Sequence, residues 1–581
     1  MENWTKDILW SSMQATASKL TAVHRAELSA KLRQPPTYED FVGRLIRPRG
    51  GPTAGLTGLT YNMMAEWPEE VMSAVYQALC QLAEEQHTPR HWKNKFLIPM
   101  PKAPNPTLDQ LRPLMLIEVL RKVWCGFSVS AVWQFLEKHR VLEDIQFAYR
   151  KNREAGVAQL VVRNAIEEAQ ETESAILLGS YDKYHAFDSL SRASMKLSFA
   201  IAGLDSAEAS RLVEMEDDSH VTVCTPRAKH YWADKYSRTL QSDDIIDEPS
   251  FFIPVRGTPQ GDTISCLTWT VFENICLAAL CKDPGRVKLY IRGADGLIHE
   301  AADLCYADDL NTVSPTLEGM QRKADIIGGI AEALHLRISI KKLRQVAVNF
   351  GTQQLLPPQC TLSINDGMGK IEMVTIPSKG PFDQLGYRHS IGVLSRNQRP
   401  DSDQFRRSKA TLIAVCRALE RKSASAMCKL EALERSVFST TLWRAQCSPW
   451  SLEMCRELDV PVNKLLRHIT KNLPGFPNKL MYGQAPGLHL PRLSDQIQIR
   501  KLALVQRGLT YTASIAAGPN GLLQRSARFY GLISIPGNRM TFGPTSKYHW
   551  AASLLHRLEE CSLFLTTGGK DSTNTHEEQL N

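Results

Sequence analysis

The chain has 581 residues, 43% of them apolar and 22% charged, with a formal net charge of +8. That length suits roughly two to four units of about 100–200 residues each and excludes a small scaffold that depends on staples for stability. The 13 cysteines include no CxxC pair and no Cys/His set at zinc spacing, which excludes a disulfide frame or zinc site and reads as reduced core thiols.

Residues 1 to 50 carry one amphipathic helical pattern and then a loop rich in Arg, Gly and Pro, RLIRPRGGPTAG. The start, MENWTKDILW, lacks the regions of a signal peptide, and no segment reads as a membrane span of about 20 apolar residues, so an intracellular protein that engages no membrane is expected. The spacing of Met63, Met64, Val71, Val75, Leu79 and Leu82 predicts helix from Tyr61 to about Gln86, interrupted at Pro68. KFLIPMPKAPN predicts a short strand running into a Pro-rich turn, and LRPLMLIEVLRKVW becomes helical after its own proline. Helical periodicity follows from Val119 to Leu142 and from Ala155 to Ala169.

The apolar run AILLGSY, Ala175 to Tyr181, predicts a strand that ends in DKYHAFD. A second strand pair, HVTVC and SFFIPV, brackets a polar segment with Asp243, Asp244, Asp247 and Glu248. A helix follows GTPQGD through ISCLTWTVFENICLAAL, and LCYADDLNTV predicts strand, turn and strand. Helices interleaved with antiparallel hairpins make the fold class α+β. Helices dominate after about Ser395. Between residues 393 and 510 stand 20 Lys and Arg against 9 Asp and Glu, a net of +11 that leaves −3 elsewhere. This division suits a polyanion held by one part and chemistry done by another, although a solvated helical surface gives the same count. The last stretch, TTGGKDSTNTHEEQLN, is polar enough to be disordered.

Asp182 ends one predicted strand, and Asp308 with Asp309 occupies a predicted hairpin turn. If those strands pair, three acids meet at one end of a sheet, an oxygen-rich setting that suits Mg²⁺. An isolated Asp-Asp is more often a solvated turn, and only the ordered set of motifs changes that reading.

Taken together, DKYHAFD (182 to 188), RGTPQGDTIS (256 to 265) and YADD (306 to 309) resemble, in order and spacing, the palm motifs of reverse transcriptases, most of all those of non-LTR (LINE-type) retrotransposons. The similarity extends over AGLTGLTYNMM (54 to 64), FLIPMPKAPN with LRPLMLIEVLRKV (96 to 123), QFAYRKNRE (146 to 154), LRISIKKLRQVAV (336 to 348) and QLGYRH (384 to 389), so it covers about 54 to 392. The resemblance implies a right-hand polymerase fold: an N-terminal extension over 1–53, fingers and the start of the palm over 54–180, and an antiparallel-sheet palm with the catalytic motifs over 181–392. A helical, basic, thumb-like region would occupy 393–510, with a C-terminal region over 511–581.

It implies an RNA-directed DNA polymerase that adds deoxynucleotides to a primer 3′ end, with two Mg²⁺ ions, or Mn²⁺ as substitute, on Asp182, Asp308 and Asp309. Lys102, Arg112, Phe187, Gln260, Gly261 and Lys342 would bind the nucleotide, and Leu385 and Gly386 would grip the primer end. Arg112 suits phosphate as a planar fork, and Phe187 would exclude a ribose 2′ hydroxyl, or else be an ordinary core aromatic. Gly261 would let backbone approach the nucleotide, with Asp262 as a helix cap; Lys342 would protonate the leaving pyrophosphate, or else be only solvated. RNA template, DNA primer and dNTPs are the implied partners, no protein partner is inferable, and nuclear residence follows from the resemblance alone. The sequence departs from the family at Cys266, Glu154, Leu343 and Tyr184-His185. None of these is a metal ligand. The alternative is a domesticated, inactive relative that binds RNA without turnover.

Overall fold

The structure, a computed structural model, describes residues 2–46, 54–102, 105–151, 153–225, 250–286, 289–292, 298–301, 303–351, 355–378, 380–389, 391, 402–471, 482, 492–508, 550 and 552–561. The acidic residues 243 to 248, the charged loop after Ile46, the start of the basic region at 393 and the polar tail lie outside the described residues.

The described chain is mixed α+β, as its pattern predicts. Its strands are β1 (Lys95–Pro101), β2 (Leu111–Leu116), β3 (Ala175–Tyr181), β4 (Val221–Val223), β5 (Phe251–Phe252), β6 (Leu289–Arg292), β7 (Ile298–Ala301), β8 (Leu304–Tyr306), β9 (Asp309–Ser314), β10 (Arg344–Asn349), β11 (Cys360–Asn365), β12 (Ile371–Ile376), β13 (Phe382–Gln384) and β14 (Tyr387–His389). One four-stranded sheet has the order β2-β1-β4-β5 and another the order β10-β3-β9-β8, every neighbour in the second being antiparallel.

The second sheet explains why AILLGSY is apolar without alternation. Ala175, Leu177 and Tyr181 of β3 enter one core with the helices Val119–Lys138, Thr263–Lys282 and Leu317–Ala333. Ile176 and Leu178 enter another with the helix Ala155–Glu171. Successive side chains of a strand point to opposite faces, so a strand covered on both faces needs apolar residues throughout. The exposed edge of β8 is covered too: Cys305 donates its N–H to the Ile145 carbonyl at 2.9 Å and accepts from Phe147 N at 2.8 Å. A third, helical core joins Ser402–Arg421, Leu452–Thr470 and Leu493–Gly508.

Three expectations need correction. The N-terminal segment forms three helices, Glu2–Ala17, Ala22–Arg33 and Tyr38–Leu45, because Thr21 and Thr37 cap new starts by accepting from His24 N and Asp40 N. Leu111–Leu116 is a strand despite Pro113, and helix starts only at Val119; β2 is an edge strand, where a missing N–H is tolerated. Finally, Thr263–Lys282 is long and apolar enough to cross a membrane, with a mean hydropathy of 1.6. It runs through the interior, packed by Glu2–Ala17, Val119–Lys138, Arg192–Ile201 and Leu317–Ala333, so its apolarity all round is that of a core helix.

Candidate active site

The pairing of β3 with β9 brings the acids together. Tyr181 lies opposite Leu310, so the next residue, Asp182, arrives beside Asp309. Tyr306 pairs with Asp309, which leaves Ala307 and Asp308 as a two-residue turn. Ala307 takes φ +59, a conformation in which a side chain is strained, and strain of this kind is often kept where a residue must be aimed.

The crowding has an electrostatic consequence. Burial, with Asp182 as a like charge, raises the Asp308 carboxyl above its ordinary range. Burial with Asp308 and Asp182 pushes Asp309 up to about 6. Two ammonium groups answer this charge. Lys342 Nζ donates to both oxygens of Asp182, at 3.1 and 3.0 Å, from a side chain 62% exposed. Lys183 is buried and bonds Glu273 Oε1 at 2.5 Å; although burial opposes its charge, that partner holds its pKa above the ordinary lysine value.

These acids open into a cleft of about 1280 Å³, lined also by Lys102, Arg112, Phe187, Gln260, Gly261 and Lys342. Thus nine of the sequence-predicted site residues share one cavity, Asp182, Asp308 and Asp309 among them. Arg112 and Lys102 reach it from the β1–β2 hairpin, where Met100 pairs with Arg112. Leu385 and Gly386 do not line it: they form the turn of the β13–β14 hairpin with φ +50 and +75, and the Leu385 carbonyl accepts from Trp443 Nε1 at 3.2 Å.

The 257 to 262 loop is held against β2. Gln260 O accepts from Met115 N at 2.8 Å, and Gly261, at φ +113, passes so close that a Cβ would stand 3.0 Å from Met115 O. Only glycine meets both conditions without strain. Asp262 caps the helix by accepting from Ile264 N, while its other oxygen pairs with the fully buried Arg121. Arg121 also bonds Glu216 at 2.6 Å, which bonds Lys95 at 2.7 Å. Burial opposes the Arg121 charge, yet Asp262 and Glu216 keep its pKa above the ordinary value. The loop therefore hangs on a buried charge network that sequence reading did not identify.

Several further residues join the site. Tyr149, at φ +62 and 46% exposed, lines the cleft beside Cys266 and Asp308, and burial with these neighbours raises its phenol. Trp269 stacks on Phe187 at 5.3 Å. Glu273 had a visible signal, a lone acid within the apolar ISCLTWTVFENICLAAL, which demands a buried partner. The 13 cysteines are free thiols, as expected, but Cys428 and Cys561 are exposed and not core residues.

Among the described residues, no group of three or more His, Cys, Asp or Glu stands close enough to cage a metal ion by itself. Mg²⁺ needs no such cage, since it typically takes one or two carboxylates and completes its shell with water and substrate phosphate. The hard oxygen donors of Asp182, Asp308 and Asp309 fit that mode, with the carboxyl groups of Asp308 and Asp309 raised by burial first and then by the neighbouring like charges. No family profile matches the chain, and no curated protein matches it. What the site defines on its own is a cleft whose lining sets Asp182, Asp308 and Asp309 together with the cations Lys102, Arg112 and Lys342.

Proposed function

We propose that the chain is an RNA-directed DNA polymerase with the right-hand arrangement of fingers, palm and thumb, derived from a non-LTR retrotransposon. One observation carries this reading: the β3–β9 register sets Asp182 against the Asp308-Asp309 turn in a cleft that also holds Arg112, Phe187, Gln260 and Gly261.

In this reading Arg112 and Lys102 receive the triphosphate, Arg112 through its planar fork. Gln260 and Gly261 form a flat floor for the base and sugar, and the Phe187 ring stands where a 2′ oxygen would be. The primer 3′ oxygen attacks the α-phosphorus and gives up its proton to solvent water; the bond from that phosphorus to the bridging oxygen breaks, and pyrophosphate leaves. Two Mg²⁺ ions, or Mn²⁺, on Asp182, Asp308 and Asp309 would stabilise the attacking and leaving oxygens. Lys342, now on Asp182, has the reach of a flexible four-carbon stem with which to hand a proton to the leaving group.

A second reading, a protein that keeps the cleft and binds RNA without turnover, draws support from the Lys342 ammonium on Asp182. One assay separates the two. Purified protein with Mg²⁺, a poly(rA) template and an oligo(dT) primer is expected to incorporate dTTP, and Asp308→Asn to abolish it. No incorporation by the unaltered chain with Mg²⁺ or Mn²⁺ at any salt concentration overturns the polymerase in favour of the binder.

A further inference from the structure

Phe187 has little structure in its own chain segment to brace its ring. It sits on a helix of four residues, Ala186–Ser189, entered through His185 at φ +48, and it is only half-buried. A wall that must refuse one oxygen atom has to resist small displacements, because a ring that tilts slightly admits the larger sugar. Its stiffness must come from behind.

Behind it stands Trp269, fully buried on the separate helix Thr263–Lys282, with the two rings 5.3 Å apart and inclined by 29°. Phe272 packs on the same indole at 5.6 Å. Lys183 lies over its ring, with Nζ 5.9 Å from the centroid. That ammonium is pinned by Glu273, one helical turn beyond Trp269 on the same face, with the two side chains 3% and 1% exposed. The Phe187 carbonyl is fixed as well, accepting from Thr258 N at 2.8 Å.

A buried Lys–Glu pair is a poor way to gain stability, since apolar residues of similar volume commonly do as well. What it supplies is direction. Lys183 follows Asp182 in the chain, so the pair ties the acid-bearing strand end to the helix that carries Trp269.

We propose that Trp269 is a specificity-determining positioning residue: set by the Lys183–Glu273 pair, it is the rigid backing that lets Phe187 reject a ribose 2′ oxygen. This rests on the polymerase reading, and the test distinguishes its failure from the failure of that reading. Incorporation of dTTP and of UTP is measured separately on poly(rA)/oligo(dT) with Mg²⁺ and repeated with Mn²⁺. Trp269→Met fills most of the indole volume without a flat face, and it is expected to raise the UTP to dTTP ratio of kcat/KM about tenfold, chiefly through a lower KM for UTP. Glu273→Gln is expected to raise it about threefold, and Trp269→Phe, which restores a flat face, to stay within about twofold of the unaltered protein. A merely structural tryptophan would lower both rates together and leave the ratio unchanged.

An unchanged ratio in Trp269→Met and Glu273→Gln, with Phe187→Ala still losing discrimination, overturns the backing role and leaves the polymerase standing. Should Trp269→Met fail to fold, an unchanged ratio in Glu273→Gln overturns it alone. An unchanged ratio in Phe187→Ala removes the gate and the inference with it. Incorporation of neither nucleotide by the unaltered protein overturns the polymerase reading itself.

Discussion

Asp309→Asn should stabilise the metal-free protein, although most single substitutions destabilise. The fold pushes the Asp309 carboxyl from an ordinary 3.8 to about 6, through burial and then through Asp308 and Asp182. A folded-state pKa above the unfolded value means the folded chain holds the proton more tightly. Stability therefore falls as pH rises from about 4 to about 6, and the full penalty is present above that window. The displacement is about two pKa units, worth about 3 kcal/mol, and partial solvation and rearrangement around Lys342 reduce the expected gain to about 1–2 kcal/mol. The asparagine keeps the shape and removes the charge. Thermal unfolding followed by circular dichroism at pH 7.5 in EDTA should show Asp309→Asn melting above the unaltered protein, with most of the difference gone at pH 4.5. Added Mg²⁺ should raise the melting temperature of the unaltered protein more than that of the variant. If the variant melts lower at pH 7.5 in EDTA by as much as at pH 4.5, the acids do not repel one another as described.

Arg121→Met leaves Asp262 and Glu216 buried without their shared guanidinium, and urea unfolding should show a loss of about 3–5 kcal/mol, partly recovered when Asp262→Asn is added; a loss below about 1 kcal/mol would count against the network. Gly261→Ala demands φ +113 of an alanine and sets its Cβ 3.0 Å from Met115 O, so about 1–3 kcal/mol of strain should appear as a lower melting temperature and a higher KM for dTTP. Lys342→Met should leave stability within about 0.5 kcal/mol, since the lysine is 62% exposed, yet slow incorporation about a hundredfold if the ammonium donates a proton. Equal rates would reduce Lys342 to a surface partner of Asp182.

Much of the local structure was legible because period and turn chemistry decide it. AILLGSY runs from Ala175 to Tyr181 as read, the interruption at Pro68 separates Tyr61–Ala65 from Glu69–Glu84, and the YADD turn joins β8 to β9. Pro113 misled because its effect depends on whether the strand lies at an edge, which no local pattern records. The helix Thr263–Lys282 has the length and apolarity of a membrane span, and only its packing identifies it as a core helix, since composition alone does not distinguish a core from a bilayer.

The sequence by itself determined which side chains were candidates and on which kinds of element they ride: carboxylates at strand ends, Gly261 in a loop before a helix, Phe187 five residues after Asp182. Tertiary structure decided who their neighbours are. Asp182 and Asp309 are 127 positions apart, and only the β3–β9 register makes them adjacent. The same holds for Arg121 under Asp262 and for Trp269 behind Phe187. The physical reason is range: propensity, capping and turn preference act over a few residues, whereas desolvation, charge repulsion and ring stacking depend on what the folded chain brings within a few ångströms.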